Sequence, residues 1–131
     1  MPYLGQIMDA SSIDLATKEL VIMRVSQING CRYCLAAHHG AALAAGVGGP
    51  QLDAVCDRGD LEAVAPRERA IIRWVDQVTH VARGVSEELT AATLDHVRDD
   101  QLVELTLLAG TITMLNQYCT AFDIPRPGDQ P

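Results

Sequence analysis

Aromatic residues are scarce in this 131-residue chain: one Trp, one Phe and three Tyr, 4% in all. A core must therefore be built from Ala, Val, Ile and Leu, which suits closely packed helices. Positive charge is also scarce. Ten Lys and Arg face seventeen Asp and Glu, a net charge of −7. That excess argues against nucleic acid or an anionic membrane surface as partner. No apolar run approaches ~18 residues, so no transmembrane span is expected. The first residues, MPYLGQIMDASS, carry neither a basic stretch nor an apolar stretch and do not read as a signal peptide. A reducing, cytoplasmic setting is the expectation, in which a Cys pair is more often catalytic or metal-binding than a permanent crosslink. The sequence has no hairpin turn between alternating strands, no fixed-period repeat, no Walker pattern and no Gly-rich loop after a strand. No cofactor is implied.

What the sequence does have is helical punctuation and 48% hydrophobic residues, enough for a single globular domain over 1–131 with a loose polar tail at 126–131. The pattern predicts an all-α bundle of about six helices. Asp14 caps a helix over 15–28 that Asn29-Gly30 ends. A second runs from Cys31 to Ala45, stopped by Gly46. Pro50 opens a short one stopped by Gly59. Pro66 opens a fourth, with Ile71, Trp74, Val75, Val78 and Ala82 inward, stopped by Gly84. Ser86 caps a fifth, and Asp99 or Asp100 the last and longest. That helix is expected to bury Leu102, Leu105, Leu108, Ala109, Ile112, Leu115, Cys119 and Phe122 and to end by Pro125. In the first helix Thr17, Lys18, Glu19, Arg24, Ser26 and Gln27 point in scattered directions, leaving no coherent wet face. So small a chain is not expected to cover such a helix unaided, so a homo-oligomer is expected.

The chemistry concentrates in NGCRYCLAAHHGAAL, residues 29–43. At ~100° per residue, Cys31, Cys34 and His38 share one face with Ala41, Ala42 and Ala45, while His39 points outward with Arg32. Two cysteines three apart at a helix start can close a disulfide within one turn. The unpaired N–H groups and partial positive charge there stabilise a thiolate. In such settings a Cys pKa can drop from ~8.5 to roughly 3.5–7.5. His38, one turn beyond Cys34, can take its proton or pair with the thiolate. Glu19 lies on an apolar face of the first helix between Leu15, Ile22, Met23 and Ser26. Burial disfavours a charged carboxylate and suits one to proton handling. The turn at Asn29-Gly30 lets Glu19 face the Cys/His stripe. Alternatives stand beside this reading: a zinc site on Cys31, Cys34 and His38 needing a fourth ligand, or plain core packing. Cys56 and Cys119 read as structural thiols. His80 reads as a structural histidine, and His96 suits a helix C-terminus. Trp74 belongs to the core or to a subunit interface.

At these residues the sequence resembles the alkylhydroperoxidase D-like branch of the carboxymuconolactone decarboxylase family, whose signature is Glu, eleven residues, then Cys-x-x-Cys-x-x-x-His. Glu19, Cys31, Cys34 and His38 meet that spacing. The likeness runs from Asp14-Leu15 to Phe122-Asp123-Ile124-Pro125. It implies an all-α fold forming a trimer or larger ring, and a dithiol that reduces hydroperoxides. In that scheme Cys34 attacks the peroxide, Cys31 resolves the sulfenic acid, His38 is the base and Glu19 relays the proton. An external dithiol or disulfide reductase supplies electrons. One position departs: where the characterised enzyme has a relay histidine before its second cysteine, this chain has Tyr33, a candidate substitute. A phenol ordinarily titrates near pH ~10 and carries protons poorly at neutrality. Non-catalytic redox sensing, zinc binding, or a decarboxylase-type activity on a small lactone are the rival readings.

Overall fold

The computed structural model describes Asp9 and residues 12–56, 61–80 and 83–129. Among them lie six α-helices and one 3-10 turn, with no strand. The helices are α1 (Leu15–Asn29), α2 (Arg32–Ala44), α3 (Gly49–Cys56), α4 (Pro66–Val78), α5 (Glu87–Leu94) and α6 (Asp99–Ala121), with the turn at Leu61–Ala63.

The expected punctuation operates. Asp14 caps α1: its Oδ2 accepts from the Thr17 amide at 3.1 Å and its Oδ1 from the Thr17 hydroxyl at 2.8 Å. Gly30 stands at φ +69°, a left-handed conformation that a side chain would strain, and it closes α1 while reversing the chain into α2. Pro66 occupies the first turn of α4, where its missing N–H costs nothing. The Ser86 side chain accepts from the Leu89 amide and caps α5.

α1 is the hub, packed against α2, α3, α4 and α6. Every residue from Thr17 to Ser26 is buried. Val21, Ile22 and Val25 meet Ile71, Trp74 and Val75 of α4 and the inner side of α6. Leu20 and Met23 meet Ala42, Leu52, Val55 and Ile72. Full burial of each such side chain contributes roughly 1.5–3 kcal/mol.

This corrects the expectation that α1 needs a second subunit for cover. Four of the scattered polar residues of α1 each reach a different neighbour inside the same chain. The Lys18 ammonium pairs with Glu104 of α6 at 3.3 Å. The Arg24 guanidinium donates to both carboxylate oxygens of Asp76, at 2.6 and 2.8 Å, and to the Val55 carbonyl at 2.9 Å. Ser26 accepts from Asn116 of α6, and Glu19 meets His38 of α2. A helix lacks a wet face when its charges are paired inward.

α6 departs from expectation at both ends. Its N-cap is Arg98, not Asp99 or Asp100. The Gln101 side chain accepts from the Arg98 amide at 2.9 Å, and the two aspartates fill the first turn, where negative charge suits the helix dipole. Phe122, expected inside, is 69% exposed because the helix stops at Ala121 and the chain turns away through Asp123, at φ +46°. Leu115 and Cys119 are half-buried rather than buried. Val103, Leu107, Met114 and Tyr118 instead form an exposed apolar stripe along α6, with Phe122 just past its end.

α4 stops at Val78, where the Thr79 hydroxyl donates to the Val75 carbonyl. α3 begins at Gly49, one residue before Pro50. Gly59 and Ala82 lie outside the described residues.

Candidate functional site

The site is built where α1, α2 and α6 meet. The left-handed Gly30 lets the Cys31 amide donate back to the Ser26 carbonyl at 3.0 Å, fixing how α2 leaves α1. Cys31 is the N-cap of α2, and its Sγ accepts from the Cys34 amide at 3.2 Å. Both sulfurs therefore sit at the amino end of a helix, where orphan N–H groups and the dipole favour a thiolate. Cys31 and Cys34 are joined as a disulfide, with Cα atoms 5.3 Å apart. Both are buried.

One turn further on, the His38 Nδ1 lies 3.0 Å from Glu19 Oε2. Glu19 is 4% exposed, so the fold has placed a buried carboxylate behind this ring. An ionised carboxylate can only accept, so the Nδ1 of a neutral ring carries the proton and Nε2 keeps its lone pair. His38 and Cys34 line one pocket of about 310 Å³, together with Tyr33, Ile22, Ile112, Leu115 and Tyr118. Besides the imidazole and the sulfurs, its polar groups are Ser26, Asn116 and the phenols of Tyr33 and Tyr118. Asn116 is 1% exposed, donates to the Ser26 hydroxyl at 3.1 Å and accepts from the Asn29 side chain at 3.0 Å. This chain of amides ties α1 to α6 across the pocket wall.

The four spaced residues expected from the sequence thus converge: Glu19, His38, Cys34 and Cys31. Tyr33 is half-buried on the pocket wall, and His39 is exposed, as expected. His80 and His96 are exposed and stand apart from the pocket. Trp74 is a core residue whose indole N–H donates to Thr106.

Two features escaped the sequence reading. Asn116 interrupts the apolar stripe of α6 between Ile112 and Cys119, and that interruption was a usable signal. Cys119 carried none. Its sulfur lies in a group with those of Cys31 and Cys34, all within 4.8 Å of one another. Burial pushes the Cys119 thiol above its ordinary value. Cys119 and Tyr33 also line a second pocket of about 270 Å³, whose walls include Cys31, Arg32, Asp123 and Arg126. When reduced, the three sulfurs form a soft donor set of the kind that thiophilic metals take. The set does not include His38, whose Nδ1 is engaged by Glu19.

No described helix is long and apolar enough to cross a membrane. Residues 1–77 match the carboxymuconolactone decarboxylase family. The chain is 29% identical over 112 residues to the uncharacterized protein YdfG of Bacillus subtilis, covering 85% of this chain and 76% of that one. Its fold superposes with a TM-score of 0.88 on a protein of unknown function from Agrobacterium tumefaciens, regarded as a candidate AhpD antioxidant defence protein. That pair shares 25% identity over 96% of this chain and 87% of the other. An uncharacterized peroxidase-related protein with an alkylhydroperoxidase AhpD core, from Ralstonia eutropha, shares the fold with a TM-score of 0.78. There the identity is 19%, covering 98% of this chain and 66% of that one. The chain belongs to the carboxymuconolactone decarboxylase family, in its alkylhydroperoxidase D-like branch.

Proposed function

We propose that this protein is a thiol-dependent peroxidase, an oxidoreductase that reduces hydroperoxides through Cys34 and Cys31. The observation that carries the reading is the buried Glu19 paired with the half-buried His38 beside a pocket that Cys34 also lines, with Cys31 already bonded to Cys34. In the reduced protein, Nε2 of His38 takes the Cys34 thiol proton and Glu19 steadies the imidazolium. The thiolate attacks the outer peroxide oxygen and becomes a sulfenic acid. The departing alkoxide takes the proton from His38 and leaves as alcohol. The Cys31 thiol then condenses with the sulfenic acid, forming the disulfide and releasing water. An external dithiol returns both sulfurs to thiols. The largely apolar pocket suits an organic hydroperoxide. Tyr33 can hydrogen-bond a bound oxygen but is not needed as a proton carrier, since Glu19 already backs His38.

Cys34→Ser should abolish hydroperoxide consumption supported by dithiothreitol. Persistence of the activity in that variant would discard the assignment. Activity on a small lactone that survives Cys31→Ala with Cys34→Ala would favour the decarboxylase-type alternative.

The proposal includes a homo-oligomer, on different grounds from those the sequence offered. Val103, Leu107, Met114 and Tyr118 repeat along one side of α6 over about four turns, with Phe122 exposed just past its end, and they carry no charge. A stripe of this kind fits a second copy of the same helix. Leu107 is 58% exposed, so Leu107→Glu should leave the fold intact and dissociate the assembly in size-exclusion with light scattering. A wild-type monomer in that experiment would remove the oligomer. A cytoplasmic setting, with no nucleic acid or membrane partner, completes the reading and follows from the −7 charge and the reduced state the chemistry requires.

A further inference from the structure

The proposed peroxidase cycle leaves a difficulty at its last step. A donor dithiol must attack one sulfur of the Cys31–Cys34 disulfide, yet Cys31 is 1% exposed and Cys34 7% exposed. Neither presents itself to a bulky partner. Cys119 is half-buried, lies within 4.8 Å of both sulfurs, and is the one of the three that lines both pockets. The pockets divide the sulfurs. Cys34 lines the pocket that holds His38, and Cys31 lines the pocket bounded by Arg32 and Arg126.

We propose that Cys119 is a third redox thiol, which moves the disulfide from Cys31–Cys34 to Cys31–Cys119 and so presents it in the second pocket for reduction by the donor dithiol. The step rests on the peroxidase reading for its purpose but not for its chemistry. The Cys119 thiol gives its proton to solvent and the thiolate attacks Sγ of Cys31. The Cys31–Cys119 bond forms, the Cys31–Cys34 bond breaks, and Cys34 leaves as a thiolate. No net oxidation occurs, so no further reagent is required. The leaving thiolate is the favourable one, because Cys34 sits in the first turn of α2 with His38 one turn beyond it. Proximity replaces thiolate abundance as the driving factor: sulfurs held within a few ångströms behave as if very concentrated. Cys34 is then a thiolate again while the oxidising equivalents wait at the other pocket. The same exchange gives the donor an approach that does not cross the peroxide pocket.

The test needs no hydroperoxide. In the reduced Cys34→Ser, Cys56→Ser chain, one equivalent of Ellman's reagent should release two thionitrobenzoates per chain. Peptide mapping should then find Cys31 joined to Cys119. Adding Cys119→Ser should hold release at one and leave a stable mixed disulfide on Cys31. A folded double variant that also stops at one release overturns the proposal. The second arm uses the oxidised wild-type chain, trapped with N-ethylmaleimide at mildly alkaline pH and then mapped. Label on Cys34 is expected; label confined to Cys56 and Cys119 overturns the proposal, and this arm decides alone if the variants do not fold. Ring closure without hydroperoxide turnover in the wild type would sink the peroxidase reading and leave the exchange standing. Turnover without ring closure would do the reverse.

Discussion

Glu19→Gln isolates the part of the site that the fold invests in most. The substitution keeps the shape of a side chain that is 4% exposed and lies 3.0 Å from the His38 ring, so packing is preserved. What changes is the charge behind the imidazole at the moment it accepts the Cys34 proton. Two unit charges ~4 Å apart at an effective dielectric of ~20 attract by about 4 kcal/mol. The amide oxygen still accepts the same N–H, a hydrogen bond with a net worth of about 1 kcal/mol. The loss is therefore about 1.5–3 kcal/mol of stabilisation for the ion pair formed on proton transfer, or roughly 10- to 150-fold in rate at 1.36 kcal/mol per decade. Two readouts should fall together: kcat/KM for tert-butyl hydroperoxide with dithiothreitol, and the second-order labelling rate of Cys34 near pH 7. If both stay within about threefold of wild type while Cys34→Ser is inactive, Glu19 is a packing residue and the relay is refuted.

Further predictions concern the scaffold and the other thiols. Asn116→Ala strands the buried Ser26 hydroxyl, and should cost about 1–3 kcal/mol in urea unfolding; a loss under ~0.5 kcal/mol would show that the amide chain adds little beyond packing. Asp14→Ala should cost about 1 kcal/mol near neutral pH through the lost cap. Burial pushes the Asp14 carboxyl up, but the hydrogen bonds from the Thr17 hydroxyl and amide, its own amide and the Arg67 charge together hold it below its ordinary 3.8. Its contribution is therefore present above that value and lost as pH falls through the lower folded one, so the two proteins should converge in acid; a gap that widens below pH ~4 would contradict the sign. In the fully reduced protein near neutral pH, iodoacetamide should label a motif cysteine before Cys119, whose thiol burial holds up; Cys119 labelling first would contradict that.

Much of this arrangement was legible in the sequence, because it rests on local rules. Asp14, Gly30, Pro66 and Ser86 act within one turn of their own positions, and spacing alone put Cys31, Cys34 and His38 on one face. Glu19 was legible as an anomaly, a carboxylate among Ile22, Met23 and Ser26. The misses share a different cause. Whether α1 needed a partner subunit depended on what Lys18, Arg24 and Ser26 would find at positions 104, 76 and 116, and such long-range pairings leave no periodic trace. Phe122 read as buried because the stripe of α6 was extended past Ala121, where the helix stops. Cys119 read as inert because no spacing rule connects residue 119 to residue 31; only the packing of α6 across the start of α2 brings them together.

The central claim is that Cys34 and Cys31 together take the oxidising equivalents of a hydroperoxide. It is tested most directly by adding one equivalent of tert-butyl hydroperoxide to the fully reduced protein, quenching within the first turnover with acid and alkylating agent, and mapping every thiol by mass spectrometry. The account predicts that Cys31 leaves the free-thiol pool with one partner sulfur, Cys34 before the exchange or Cys119 after it, one pair per hydroperoxide consumed, while Cys56 remains. Hydroperoxide consumed with both motif thiols still free, or both thiols free with the hydroperoxide untouched, would contradict it.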